Sequence, residues 1–212
     1  MTQNQIDISE LLCSRLCHDI VAPIGAINSG LELLKETTSN DKDEIIDLIY
    51  KSAENAAKKL TLFRFAYGAS STKQIANLDE IKSLLGQIID PDKFKLQINF
   101  STPIDIPQDQ MVKWGKLILQ TTMTVADAAP YGGQLTVSSD NRSIKIHLNS
   151  DKVIDNQTNF DIMKNGCAQT ELTPRNISHY LIHNIIKNVG GDISKESTEK
   201  DLTYTLQVSK PG

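Results

Sequence analysis

Apolar residues recur at three- and four-residue steps over the first third of the chain, which is the period of one face of an α-helix. One run predicts a helix that begins after Asp7 and continues to about Glu36. After a short polar turn, a second run predicts a helix from about Lys42 to Tyr67. Two long amphipathic helices joined by a short loop predict an antiparallel hairpin. The apolar positions are Ile8, Leu12, Leu16, Ile20, Pro23, Ile24, Ile27, Leu31 and Leu34 in the first run, and Ile45, Leu48, Ile49, Ala53, Ala56, Leu60 and Phe63 in the second.

The rest of the chain mixes helical and strand patterns and predicts an α/β sandwich with helices on one face of a sheet, so the whole chain belongs to the α+β class. Residues 94–100 alternate between apolar and polar side chains, as a half-buried strand does. A long helix is expected from about Gln108 to Ala129, with Trp114 in the core. Another is expected to begin at Thr173-Pro174 and to end at Gly190-Gly191. The other predicted elements are a helix at 77–89 and strands at 134–138, 143–149, 192–196 and 202–209.

His18 lies in the first predicted helix, with Asp19 directly after it and Pro23 five residues later. At about 100° per residue, His18 points roughly 190° away from the centre of the apolar stripe, so it is expected to face solvent. A neutral imidazole on a rigid, exposed helix is a nucleophile that can accept and pass on a phosphoryl group. The alternative is a surface histidine without a role. The neighbouring acid, the proline and the second helix favour the chemical interpretation.

Composition and charge narrow the class of protein. The 212 residues suffice for one large or two small domains, and a hydrophobic content of 39% supports a core. A net charge of −4 argues against broad nucleic-acid binding. No run of about 18 apolar residues predicts a membrane span, and residues 1–5 do not resemble a signal peptide, so a cytoplasmic protein is expected. Three cysteines do not make a disulfide framework; Cys13 and Cys17 are expected to be small buried thiols.

The segment from His18 to Pro23 resembles the phospho-acceptor box of sensor histidine kinases, in which a histidine and an acid are followed by three residues and a proline. The wider run Leu12–Leu34 resembles the ChpT-type histidine phosphotransferases of alphaproteobacteria. This resemblance is strong over residues 9–35 and extends through the rest of the chain in the order of the elements. The residues that give it its specificity are Ser14-Arg15-Leu16, Gly25-Ala26-Ile27-Asn28 and Gly30-Leu31-Glu32-Leu33-Leu34.

This resemblance implies a histidine phosphotransferase of a bacterial two-component phosphorelay. His18 would take a phosphoryl group from the aspartate of one receiver domain and give it to the aspartate of another. Asp19 is expected to orient the imidazole or to accept its proton. Arg15, one turn before Asp19, either contacts the travelling phosphoryl group or forms an ordinary i,i+4 ion pair with Asp19. His18, Asp19 and Arg15 are therefore the predicted catalytic residues.

The same resemblance implies which partners the chain has. They are the receiver domain of a hybrid histidine kinase, response regulators and a second copy of the chain. From the charge and the lack of an apolar run, neither nucleic acid nor a membrane is expected as a partner. No cofactor of the chain's own is expected, and Mg²⁺ is expected on the receiver. One hairpin leaves much of its apolar face exposed, so two hairpins are expected to form a four-helix bundle; alternatively, the C-terminal domain covers that face. The predicted division is a hairpin domain at 1–68, a linker at 69–76 and a degenerate ATPase-like domain at 77–212.

The order of elements after residue 77 is similar to that of the ATP-binding domain of histidine kinases and Hsp90-type ATPases. That resemblance implies three nucleotide-binding boxes, and each is altered here. Thr124 stands where the family has the asparagine that holds Mg²⁺. Residues 149–153 contain no glycine where the family has Asp-x-Gly-x-Gly. Asn176–His179 replaces a Gly-x-Gly loop that cradles phosphates. The domain is therefore expected to have the fold of these ATPases but not to bind a nucleotide.

Other functions stay open at this point. A histidine kinase with divergent boxes would bind ATP, and in a non-catalytic interaction protein His18 would have no role. A phosphatase is disfavoured, because kinases with that activity usually carry Thr or Asn four residues after the histidine, where this chain has Ala22. His179 and His183, four residues apart on one helix face, are either a zinc pair or surface and packing residues.

Overall fold

The computed structural model describes residues 7–37, 41–68, 77–100, 104 and 106–208. They form a helical hairpin followed by a mixed layer of helices and strands, which confirms the predicted α+β class. Short 3₁₀ turns lie at Gln108–Gln110 and Gln169–Glu171. The elements are α1 (Ile8–Glu36), α2 (Lys42–Tyr67), α3 (Leu78–Ile88), β1 (Phe94–Asn99), α4 (Met111–Asp127), β2 (Gly133–Ser139), β3 (Ser143–Asn149), α5 (Gln157–Asn165), α6 (Ile177–Val189), β4 (Asp192–Ser197) and β5 (Asp201–Gln207).

The hairpin is built from α1 and α2, whose predicted bounds are confirmed. The Asp7 carboxylate accepts a hydrogen bond of 2.7 Å from the Ser9 backbone N–H and so caps the start of α1. The helix continues through Pro23, which is buried. The two helices pack tightly at Gly30, also buried, where an added Cβ would lie 2.6 Å from Cγ1 of Ile49. The lack of a side chain at Gly30 therefore leaves the space that the Ile49 side chain occupies.

We expect Gly30→Ala to lower the free energy of unfolding by about 1–3 kcal/mol, because the new methyl group forces the branched Ile49 side chain aside. Gly25→Ala is the matched control. A Cβ at Gly25 meets nothing within 4 Å, so alanine there is neutral or stabilising by up to about 1 kcal/mol. Urea denaturation at one protein concentration measures both. Equal stability of the two variants would show that the helices tolerate a wider separation.

The sheet has the strand order β1-β2-β3-β5-β4. β1 and β2 pair in parallel, and the other neighbours pair antiparallel. One face is buried: Ile146 and Tyr204 lie opposite each other on β3 and β5, and both point into the core. On the other face Lys145 is exposed and His147 is half-buried. The period-two alternation therefore places the helices on one side only, as predicted.

The core lies between the sheet and the helices α3, α4 and α6. Trp114 on α4 is fully buried, which confirms its prediction as a core residue. The core extends into the hairpin, since Phe65 at the end of α2 belongs to it. The largest fully buried side chains are Trp114, Ile81, Leu85, Leu117, Ile118, Leu119, Leu135, Ile144, Ile146, Leu148 and Met163.

Hydrogen bonds between described residues join the end of the hairpin to the α/β part. Gln120 Nε2 donates to the Ala66 carbonyl at 3.0 Å, Lys116 Nζ donates to the Gly68 carbonyl at 2.9 Å, and the Tyr67 hydroxyl donates to Ser178 Oγ at 3.2 Å. The predicted linker at 69–76 lies outside the described residues. No helix in the described part of the chain combines the length and apolar content of a membrane span.

Three expectations need correction. Helix α5 was not predicted, because its sequence is polar and shows no clear helical period. α6 begins at Ile177 rather than at Thr173-Pro174, since the Asn176 side chain accepts from Thr173 N–H and donates to the Glu171 carbonyl, which holds a turn there. Cys13 and Cys17 are exposed rather than buried, because they lie beside the apolar stripe and not on it.

Candidate functional site

His18 projects from the middle of α1 into solvent. Its side chain is 87% exposed, as the helical period predicts. One ring nitrogen, Nδ1, lies 3.4 Å from Oδ1 of Asp19. With the proton on Nδ1, facing the carboxylate, the lone pair of Nε2 points away from the protein. The arrangement presents a nucleophilic nitrogen to anything that approaches this face of the helix.

Asp19 is the residue that connects His18 to its surroundings. Its Oδ2 accepts a hydrogen bond of 2.8 Å from Arg15 Nε, while Oδ1 faces the imidazole. Its backbone carbonyl accepts a hydrogen bond of 2.9 Å from Nζ of Lys59 on α2. The structure thus brings together all three predicted site residues. Arg15 and Asp19 form the i,i+4 ion pair that the sequence allowed; a contact between Arg15 and a phosphoryl group stays a prediction.

Arg15 also borders a cleft between the hairpin and the α/β part, with a volume of about 250 Å³. Asp127 at the end of α4 and His179 on α6 line the same cleft. Burial raises the pKa of Asp127 above its ordinary value, and Arg15 acts in the opposite direction. Burial, together with the positive charge of Arg15, lowers the pKa of His179 to about 4, so this ring is neutral at pH 7. The Arg15 guanidinium therefore shares the cleft with one acid, Asp127, and one neutral ring, that of His179.

The cleft contains two of the altered nucleotide boxes. The Thr124 hydroxyl donates to the Gln120 carbonyl at 3.0 Å, one turn back on its own helix, and its short side chain has no amide oxygen of the kind that asparagine offers a metal. Asn176 lies three residues before His179, and both its amide oxygen and its amide nitrogen form hydrogen bonds within the turn before α6. Arg15 enters from the hairpin. These side chains do not form the backbone cradle that a triphosphate needs.

His179 and His183 have different surroundings, which favours packing over a shared zinc ion. His183 Nδ1 lies 3.2 Å from the Met163 carbonyl, and its ring packs against Gly166, where an added Cβ would lie 2.9 Å from Nε2. His179 faces the cleft with Arg15. Among the residues that the structure describes, no group of three or more His, Cys, Asp and Glu side chains is placed to hold a metal ion.

The face of α1 around His18 is open. Gly25 and Asn28, which follow His18 by two to three turns, are exposed, and a Cβ added at Gly25 meets nothing within 4 Å. Small side chains beside an exposed histidine permit another protein to come close to it.

A second face of the hairpin is apolar and uncovered. Ile24 and Leu31 on α1 are 45% and 43% exposed, and Leu60 on α2 is 56% exposed. Near Cys17 this face deepens into a groove of about 700 Å³, lined almost wholly by apolar atoms. The described residues of the C-terminal part therefore leave this face exposed. Exposed apolar surface of this extent marks an interaction site.

Sequence reasoning did not identify Lys59 or Asp127 as part of the site. Lys59 lies 40 residues from Asp19 in the chain, so its contact depends on how α1 and α2 pack. Asp127 is more than 100 residues from Arg15 in the chain, and only the fold places it, buried, in the same cleft. The one signal in the sequence was Pro23, which leaves a carbonyl of α1 without a helical partner.

Known proteins with similar sequence or fold include phosphotransferases. Residues 78–201 match the family described as "Histidine phosphotransferase C-terminal domain". The protein phosphotransferase ChpT of Brucella abortus (strain 2308) is 26% identical, over 98% of each chain. A solved structure of a bacterial phosphotransferase is similar with a TM-score of 0.77, 26% identity and 98% of each chain covered. The histidine kinase AdeS of Acinetobacter baumannii is similar in fold, with a TM-score of 0.50 and 12% identity over 92% of this chain and 98% of that one.

Proposed function

The chain belongs to the histidine phosphotransferase family, and we propose that His18 is the residue through which it passes a phosphoryl group. Family membership and the 26% identical phosphotransferase from Brucella abortus make the chain a phosphotransferase of a phosphorelay. The observation that supports His18 most is its exposure on α1 with one ring nitrogen directed at Asp19 and the other free. His147, His179 and His183 lack that combination.

The proposed chemistry is two successive displacements at phosphorus. Nε2 of His18 attacks the aspartyl phosphate of a receiver; the N–P bond forms, the P–O bond breaks, and the receiver's carboxylate leaves with the bonding electrons. The ring becomes cationic, and Asp19 stabilises that charge or takes the Nδ1 proton. In the second displacement a carboxylate of another receiver attacks phosphorus, and the N–P electrons return to Nε2. Mg²⁺ held by the receiver supplies charge neutralisation.

The proposed donor is the receiver domain of a hybrid histidine kinase, and the proposed acceptors are response regulators in the cytoplasm. The docking surface would be the face of α1 that carries His18, Gly25 and Asn28. A receiver that reaches Nε2 must place its aspartate close to the helix, and the small exposed residues leave room for that approach. Positioning of this kind is the main demand of phosphoryl transfer.

The experiment that tests the proposal is incubation of the chain with a panel of phosphorylated receivers from both classes. At least one receiver is expected to lose label to the chain, and the labelled chain is expected to pass it to another receiver. A chain that takes label from none of them, while remaining folded by circular dichroism, would contradict the proposed role.

We further propose that two copies of the chain associate through the apolar face of the hairpin. Ile24, Leu31 and Leu60 lie on that face, and the α/β part of the same chain leaves them exposed. A second hairpin covers them in a four-helix bundle with two-fold symmetry. His18 points away from this face, so each dimer would present two acceptor sites to receivers.

The α/β part is expected not to bind ATP. Thr124 is bonded to its own helix, and Arg15 and the side chains before α6 occupy the altered boxes. Calorimetric titration with ATP and Mg²⁺ should give no saturable heat up to about 1 mM. A known ATP-binding histidine kinase, run in parallel, serves as the positive control. A micromolar dissociation constant for this chain would support the divergent kinase instead.

A further inference from the structure

Pro23 removes one hydrogen bond from α1 at a defined place. In an α-helix each backbone N–H bonds the carbonyl four residues earlier, and proline has no N–H. The carbonyl left without its partner by Pro23 is that of Asp19, the residue directly after His18. Helical geometry is maintained on both sides, since α1 continues from Ile8 to Glu36. The gap in the hydrogen-bond ladder therefore lies in the turn that carries the acceptor histidine.

Lys59 fills that gap from the neighbouring helix. Its Nζ donates to the Asp19 carbonyl at 2.9 Å, across 40 residues of sequence and in a partly buried environment. A hydrogen bond from a charged donor is stronger than one between neutral groups. The Asp19 side chain is held at the same time by Arg15. Both the backbone and the carboxylate of Asp19 are thus anchored, which fixes the turn below the imidazole.

We propose that Lys59 is a positioning residue for phosphoryl transfer at His18, because it caps the carbonyl that Pro23 leaves free and so holds the His18 turn in one geometry. The inference rests on the proposed function of His18. Small misplacements of a reacting group cost large factors in rate. Without Lys59, the Asp19 carbonyl would bond water instead. The helical turn that carries the His18 imidazole would then lose its hydrogen bond to α2.

Lys59→Met tests this, because methionine keeps the apolar stem and removes the donor. We expect the rate of phosphoryl transfer from a receiver to fall about tenfold, the factor for losing a hydrogen bond to a charged group. Lys58→Met is the matched control: Lys58 is the preceding residue of α2, makes no hydrogen bond with the residues that the structure describes, and should leave the rate unchanged. Lys59→Arg, which retains a charged donor, should recover part of the loss.

Pro23→Ala distinguishes capping from a general effect of charge. Alanine supplies an N–H to the Asp19 carbonyl, so the Lys59→Met defect should shrink several-fold when it is measured in the Pro23→Ala background. The ¹³C shift of the Asp19 carbonyl, which reports its hydrogen bonding, should move in Lys59→Met and return in the double variant. An equal defect in both backgrounds, or a Lys59→Met variant as fast as wild type, would overturn the proposal. A wild-type chain that takes no label would overturn the role of His18, whereas the carbonyl shift still tests the cap.

Discussion

Replacing His18 with alanine is expected to abolish phosphoryl uptake from every receiver that labels the wild-type chain. The residue supplies the attacking nitrogen. His147 also has an acid near its ring, but it is less exposed and both of its nitrogens face other side chains, Thr203 and Asp201. The variant should stay folded, because the side chain is 87% exposed and its substitution costs at most about 0.5 kcal/mol. Label on the wild type should be labile in acid and stable in base, and gel autoradiography measures it.

His147→Ala is the matched control for that experiment. His147 lies on β3, its side chain is 41% exposed, and Nδ1 is 2.9 Å from Thr203 Oγ1. The control should take label as the wild type does. Label that survives in His18→Ala, or that maps to His179 or His183, would show that the acceptor is elsewhere.

Leu31→Asp is expected to convert the proposed dimer into single chains of 23.5 kDa. Leu31 is 43% exposed in the hairpin and would be covered by the second copy. A carboxylate there loses its water without gaining a partner, which costs about 3 kcal/mol and weakens association about 100-fold. Light scattering at micromolar concentration measures the change.

Leu33→Asp is the control for dimerisation. Leu33 is 50% exposed, but it lies two residues further along α1 and therefore points roughly 200° away from Leu31. Its substitution should leave the mass unchanged. A wild-type mass of one chain would refute dimerisation, and equal dissociation in both variants would mean that the interface is not the face defined by Ile24, Leu31 and Leu60.

The features that were predictable from the sequence depend on local periodicity. The step of three and four residues in α1 gave both the apolar stripe and the outward direction of His18, because a helix converts spacing into direction. The same rule places Arg15 one turn from Asp19, and the structure shows them paired at 2.8 Å. Alternation along residues 94–100 likewise predicted a half-buried strand, and in β1 the apolar positions are buried or half-buried while the polar positions between them are exposed.

The remaining features depend on packing between distant segments. Lys59 reaches Asp19 because α1 and α2 pack against each other in the hairpin, although the two residues are 40 apart in the chain. The start of α6 was misplaced because the Asn176 side chain holds a turn through two hydrogen bonds that no helical period reveals. α5 consists mainly of polar residues, and it became recognisable only where Phe160 and Met163 pack into the core.

The central claim is that the chain carries a phosphoryl group between two receivers through His18. The most direct measurement mixes purified, labelled donor receiver with an unlabelled acceptor receiver, with and without the chain and in the absence of ATP. We expect label to appear first on the chain and then on the acceptor, only when the wild-type chain is present, and not with His18→Ala. An acceptor that is labelled equally fast without the chain, or a chain that is labelled only when ATP is supplied directly, would contradict the claim.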